Sequence, residues 1–242
     1  MRSSKRSLQD QDLLDIFKQI AEQKGTVRLF NSFKGLTIAN VAYIIDISPG
    51  YVAFSIHEFQ AVCIALEGKT YIEHASLPEI LKAHAVTNDV VKKETVLTDF
   101  RGMGHFLGKR LSNRVQPREP VEVEIYVGEQ CISGKLADLS PQGVGIYTFA
   151  AYIYGELPLQ KNTTLLLNMK LPDLNGGLKL NGKVTSIIKQ HGTLLHRFGI
   201  KTQPDPKAES ILSSYVAQHS EEVLRELQNI YEALCSSSNT NP

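Results

Sequence analysis

The chain has 242 residues, 42% of them apolar, with 26 Lys and Arg against 25 Asp and Glu, a formal net charge of +1 at pH 7. That length accommodates one large or two ordinary packed domains, and the near-zero charge supplies no global field for nucleic acid or an acidic membrane, so any basic function is local. Cys63, Cys131 and Cys235 are odd in number and far apart, which suits a reducing compartment and gives no zinc spacing.

In chain order, residues 1–9 are polar. MRSSKRSLQD is basic but leads into no apolar stretch, so no signal peptide is expected. No run of about 18 apolar residues exists, so no membrane span is expected. From Asp10 to about Gln23, Leu13, Leu14, Ile16, Phe17, Ile20 and Ala21 recur at helical spacing, with Asp10 as N-cap and Gly25 as terminator. ANVAYIIDI (39–47), GYVAFSI (50–56) and QAVCIALEG (60–68) read as strands. A short apolar segment with Pro78, Ile80 and Leu81 follows, then KAHAVTNDVVKKETVLTDF, two strands around a charged turn.

The segment RGMGHFLGKRLSNRVQPR (101–118) holds three glycines, five Lys or Arg and no acid, and reads as an interdomain linker. PVEVEIYV (120–127), CISGKLADL (131–139), GVGIYTF (143–149), TTLLLNMKLP (163–172), LKLNGKVTSII (178–188) and LLHRFGIKT (194–202) then follow. Six short strands at this spacing predict a small antiparallel barrel. From Asp205 to about Leu234 a helix is expected, with Ile211, Leu212, Tyr215 and Val216 as one apolar patch and Val223, Leu224, Leu227, Ile230, Tyr231 and Leu234 as another. Packing on its own barrel and a homodimer seam both stay open for that face.

The first half echoes the second. VAYIIDISPGYVAF (41–54) lies over SGKLADLSPQGVGI (133–146), with Asp46 on Asp138, Ser48 on Ser140 and Pro49 on Pro141. Further on, AVCIALEG lies over TLLLNMKL and ETVLTDF over GTLLHRF. Two barrels in tandem account for this better than one large domain. The copies differ: no paired arginines precede the first, and Tyr51 stands where Gly143 stands in the second. Asp46 and Ser48 are therefore read as turn caps. The expected class is mainly β: two small antiparallel β-barrels in tandem with an N-terminal and a C-terminal helix. The expected domains are 1–100, the linker 101–118, a second barrel 119–204, and a helix and tail 205–242.

Two strings carry the chemistry. RLSNR puts Arg110 and Arg114 four residues apart on the basic connector. DLSPQG puts Asp138, Ser140 and Gly143 in a tight turn about two dozen residues later. An Arg fork matches the O6/N7 edge of guanine and also takes a phosphate or stacks on a purine. A carboxylate accepts from guanine N1–H and N2–H₂, a hydroxyl donates or accepts, and glycine permits positive φ or close approach. RVQPR (114–118) fits the same RxxxR spacing as RLSNR and shares Arg114.

In this order the strings resemble the RxxxR and DxSxxG signature of PilZ domains, bacterial receptors for cyclic di-GMP. The resemblance covers about residues 105–205 by motif, and the layout of the whole chain is similar to the flagellar-brake (YcgR-like) class. In PilZ sequences the second arginine is followed by Val and, shortly after, by the Pro-Val opening the first strand. Arg114–Val115 and Pro120–Val121 fit, which favours Arg110 with Arg114. The resemblance implies ligand contacts from Arg110, Arg114, Asp138, Ser140 and Gly143, with Arg118, Lys109 and Asn113 as further candidates. Lys109 stands where some members carry a third Arg, so one ligand or a stacked pair both stay open.

What the resemblance further implies is a cytoplasmic signal-transduction protein that takes cyclic di-GMP as ligand, with no other cofactor and no metal. Ligand captured between linker and second barrel would change the interdomain arrangement and control a protein partner of the flagellar-motor or polysaccharide-machinery kind. Rival readings are a ligand-independent adaptor with a decayed site, and a nucleic-acid-binding barrel using the linker as a basic stripe. The strands lack regular aromatic–basic interleaving and Trp is absent, so no nucleic acid is expected. No GxSxG, HExxH, P-loop or Rossmann string occurs, so no enzyme is expected. His191 and His196 are expected at the surface, and Tyr147 and Phe149 in the core or at a barrel end.

Overall fold

The structure, a computed structural model, describes residues 10–103, 113–149, 159–172, 176–189, 192 and 195–238. The chain divides into two units, residues 1–33, 37–111 and 223–242 in one and 34–36 and 112–222 in the other. Each contains a closed six-stranded antiparallel barrel.

The first unit begins with α1 (Asp10–Glu22), whose Leu13, Leu14, Phe17 and Ile20 are buried. Lys24, not Gly25, takes the left-handed backbone after it, with φ +50°. Its strands are β1 (Thr26–Phe33), β2 (Leu36–Ser48), β3 (Tyr51–Ser55), β4 (Lys69–Glu73), β5 (Leu81–Asp89) and β6 (Glu94–Gly102). They close in the order β1-β2-β3-β6-β5-β4 around Leu29, Val52, Phe54, Ile72, Leu81 and Leu97, with Phe17 packed on Phe54 edge-to-face at 6.0 Å between centroids.

One predicted strand is a helix. QAVCIALEG forms most of α2 (Glu58–Glu67). A short apolar run buried on several faces carries no period that separates strand from helix; the ends decide. The His57 side chain accepts from Phe59 N–H at 3.1 Å, and Gly68, at φ +65°, closes the helix by donating to Ile64 O at 2.8 Å. Inside, Gln60 Nε2 donates to Thr70 Oγ1 at 3.1 Å and to Asn31 Oδ1, which ties α2 to β1 and β4 through buried polar groups. The strands β1 and β4 lie where the sequence predicts no element.

Cys63 lies inside α2. Burial, and then the Glu67 carboxylate, push its thiol up to about 12, whereas Cys131 is exposed. Because the thiolate is the nucleophile, iodoacetamide at pH 8 is expected to label Cys131 and spare Cys63 until the protein is denatured. Peptide mass spectrometry checks this; equal labelling of both in the native protein would contradict a closed first barrel.

The second unit holds β7 (Glu122–Val127), β8 (Gln130–Ser140), β9 (Gly143–Phe149), β10 (Thr164–Met169), β11 (Leu178–Lys189) and β12 (Leu195–Thr202), all within three residues of their predicted places. In β7, Val123 and Ile125 are buried while Glu122 and Glu124 face out. The core gathers Val123, Ile125, Leu139, Ile146, Leu167 and Phe198. Helix α3 (Pro206–Ser238) adds Leu212, Tyr215 and Val216 to it, and Asp205 Oδ1 caps α3 by accepting from Ala208 N–H at 2.7 Å.

The internal repeat extends to topology. The second barrel reads β7-β8-β9-β12-β11-β10, the order of the first. Both second strands are bulged at the same point, between Ile44 and Asp46 and between Leu136 and Asp138, and both turns close with matching pairs, Ser48 to Tyr51 and Ser140 to Gly143. Two parts of the sequence alignment fail. AVCIALEG is helical and so does not match β10. In the last strands, Glu94 pairs with Ser55 as Arg197 pairs with Tyr147, so Glu94, not Asp99, is the counterpart of Arg197.

Candidate functional site

The turn between β8 and β9 forms one wall of the candidate site. The bulge at Ala137 resets the alternation of β8, so that Asp138 is 9% exposed and Ser140 2%. Ser140 Oγ donates to Gly143 O at 3.1 Å, and Thr202 N–H of β12 donates to Gln142 O at 3.1 Å, holding the turn against β12. Gly143 has no positive φ; it sits in a tight place, where a Cβ would stand 3.2 Å from Ile200 O and 3.3 Å from Ser140 Oγ.

The segment before β7 supplies the other wall. Past the last β7–β8 pair at Glu122 and Lys135, Leu136 N–H donates to Val121 O at 2.9 Å, and Val115 exchanges two 2.9 Å hydrogen bonds with Leu139. Val115 is fully buried. This pins Arg114 beside Asp138, where Arg114 Nη1 donates to Asp138 Oδ1 at 3.2 Å. The second carboxylate oxygen, Oδ2, accepts from Arg197 Nη2 on β12. Arg197 is fixed through its backbone on both sides, paired with Tyr147 of β9 and Ile188 of β11.

A carboxylate this deep is costly unless paired, and here two guanidiniums share it. The side chains of Arg114, Arg197 and Asp138 are 29%, 19% and 12% exposed. The cluster thus keeps one positive charge in excess among partly buried side chains, an arrangement receptive to an anion. Gly145 underlies it: a Cβ there would lie 2.8 Å from Arg197 Nη2 and from both Asp138 oxygens.

The structure therefore brings Arg114, Asp138, Ser140 and Gly143 to one corner. Asn113, next to Arg114, is exposed. Arg118 is not at the corner; its Nη2 lies 3.0 Å from Glu222 Oε2 on α3, a partner other than the Glu119 beside it in sequence. Lys109 and Arg110 lie outside the described residues, as does His191. His196 is buried, contrary to the surface position expected for it, because the alternation of β12 turns it to the same side as Phe198. Phe149 is 55% exposed rather than packed, and Tyr147 is half-buried.

Arg197 and Gly145 were not singled out in the sequence. The available signals were a glycine inside a strand, which marks close approach, and a lone charge amid the apolar residues of LLHRFGI. Among the described residues no group of three or more His, Cys, Asp or Glu is placed to hold a metal ion, and no described helix is long and apolar enough to cross a membrane.

Comparison with known families decides what this barrel is: the PilZ domain profile matches residues 108–218. Residues 108–218 form a PilZ domain. The corner lies wholly inside it, as do all eight residues proposed from the motifs. No curated protein sequence matches the chain. Among solved structures, Escherichia coli YcgR in complex with c-di-GMP is 13% identical, covering 93% of this chain and 96% of its own, with a TM-score of 0.45. The K. pneumonia MrkH–c-di-GMP complex is 11% identical, covering 90% and 97%, with a TM-score of 0.47. The Bacillus subtilis inhibitor of motility, MotI/DgrA, is 12% identical, covering 81% and 96%, with a TM-score of 0.41.

Proposed function

We propose that this protein is a cytoplasmic cyclic di-GMP receptor and not an enzyme. The PilZ domain binds the dinucleotide at the Asp138 corner together with the basic linker 101–118. The observation that carries this reading is the meeting of Arg114 and Asp138 beside Ser140 and Gly143. Four residue types suited to a guanine nucleotide, drawn from two distant stretches of sequence, share one corner with an excess positive charge.

Without ligand, Arg114 is occupied by Asp138. On binding, its guanidinium turns to the O6/N7 edge of a guanine or to a phosphate, and Arg110 closes from the same segment. The Asp138 oxygen that Arg114 leaves accepts from the guanine N1–H and N2–H₂ donors. Ser140 exchanges its contact with Gly143 O for one to the ligand. Because the capturing segment connects the two barrels in sequence, its hold on the ligand is coupled to their arrangement, and this is how ligand occupancy reaches a protein partner of the motility or polysaccharide-machinery kind.

Isothermal titration with cyclic di-GMP, with GTP and cyclic di-AMP as controls, tests the reading. The expected result is saturable binding of cyclic di-GMP alone; no heat from cyclic di-GMP would overturn it. The same titration reads the arginine register. Arg118→Ala is expected to change affinity less than threefold, since it removes an ion pair with Glu222 that lies away from the corner. A loss as large as that from Arg114→Ala would move the ligand to the 114/118 pair.

A further inference from the structure

We infer that Arg197 is a positioning residue that holds the Asp138 carboxylate neutralised and oriented when Arg114 leaves it for the ligand. This rests on the reading of the corner as a cyclic di-GMP site. The two guanidiniums on Asp138 are not equivalent. Arg114 sits in an irregular segment, anchored on one side by Val115. Arg197 is in the middle of β12, hydrogen-bonded into ladders with β9 and β11, and is the less exposed of the two. An incoming anion therefore competes for Arg114, while Arg197 stays.

The first barrel shows what is missing where the support is absent. It has the same bulge and an Asp-x-Ser turn, but Ala53 stands in place of Gly145 and Glu94 in place of Arg197. Asp46 there accepts from the neighbouring Ser48 Oγ at 3.1 Å, and the turn is exposed. A glycine floor and an arginine on the last strand go together with the buried carboxylate. Without them, releasing Arg114 would strand a negative charge beside an anionic ligand, and binding would carry that desolvation and repulsion cost.

The test is a double-mutant cycle on the full chain: wild type, Arg197→Gln, Asp138→Asn and the double variant, with Arg197→Lys as a fifth protein. Each is titrated with cyclic di-GMP and, for weak binders, by displacement of a fluorescent cyclic di-GMP analogue. Arg197→Gln is expected to lose about tenfold in affinity, Arg197→Lys to lie between it and wild type, and Arg197→Gln to add no further loss in the Asp138→Asn background. An equal loss in both backgrounds, or no recovery with Lys, would overturn the inference, because Arg197 would then act on the ligand directly or elsewhere. If wild type binds no cyclic di-GMP, the proposed function fails; thermal denaturation of the same proteins without ligand then decides the Arg197–Asp138 pair. Coupled midpoint shifts support the pair, and additive shifts overturn it.

Discussion

Arg114→Ala is expected to weaken cyclic di-GMP binding by one to two orders of magnitude while leaving the second barrel folded. An arginine fork on a guanine edge discriminates by about 1–3 kcal/mol, and each 1.4 kcal/mol is tenfold in affinity. A micromolar complex would thus move to the edge of calorimetric detection. The folded state loses much less. The Arg114 side chain is 29% exposed and therefore screened, and Asp138 keeps Arg197, so the stability cost is on the order of 1 kcal/mol or less. Calorimetry and a thermal melt on one preparation separate the two effects. Wild-type affinity in Arg114→Ala would remove Arg114 from the site, and a collapse of the melt would make it a structural residue.

How much of this could be read in the sequence depends on how each signal arises. The six strands of the second barrel were legible because their alternation has a physical cause in β7, where Val123 and Ile125 face the core and the flanking glutamates face water. Asp138, Ser140 and Gly143 were legible because a turn constrains its residues locally. The α2 segment was not, since a run buried on several faces has no period and its identity lies in the His57 and Gly68 caps. Strand β1 was missed for the opposite reason: in TVRLFNSF three consecutive residues, Leu29, Phe30 and Asn31, are buried, which breaks the two-residue rhythm.

Arg197 was invisible for a further reason. Its meaning comes from register, not from neighbours in sequence. Only the pairing of β12 with β9 sets it opposite Tyr147 and within reach of Asp138, 59 residues away. The same holds for the repeat. Its start was readable from DISPG over DLSPQ, but the lengths of later connections differ, and strand pairing, not similarity of letters, makes Glu94 the counterpart of Arg197. That substitution reverses a charge at the position that supports the carboxylate in the PilZ domain. It separates the two barrels more sharply than the loss of paired arginines does.

Gly145→Ala is expected to damage stability and binding together. The added Cβ would lie 2.8 Å from Arg197 Nη2 and from both oxygens of Asp138. Asp138 is buried, so its carboxylate has little room to retreat, and the methyl group must displace Arg197 or push the carboxylate toward Arg114. Overpacking of this kind costs roughly 1–3 kcal/mol, which urea denaturation reads as a lower midpoint at unchanged slope. Displacing Arg197 should also reproduce the loss of about tenfold in affinity expected of Arg197→Gln. The reciprocal change in the first barrel, Ala53→Gly, opens no such contact; about 0.5–1 kcal/mol of backbone entropy is its whole expected effect, with ligand affinity untouched. A Gly145→Ala protein with wild-type midpoint and affinity would mean that two guanidiniums do not close on Asp138 in solution.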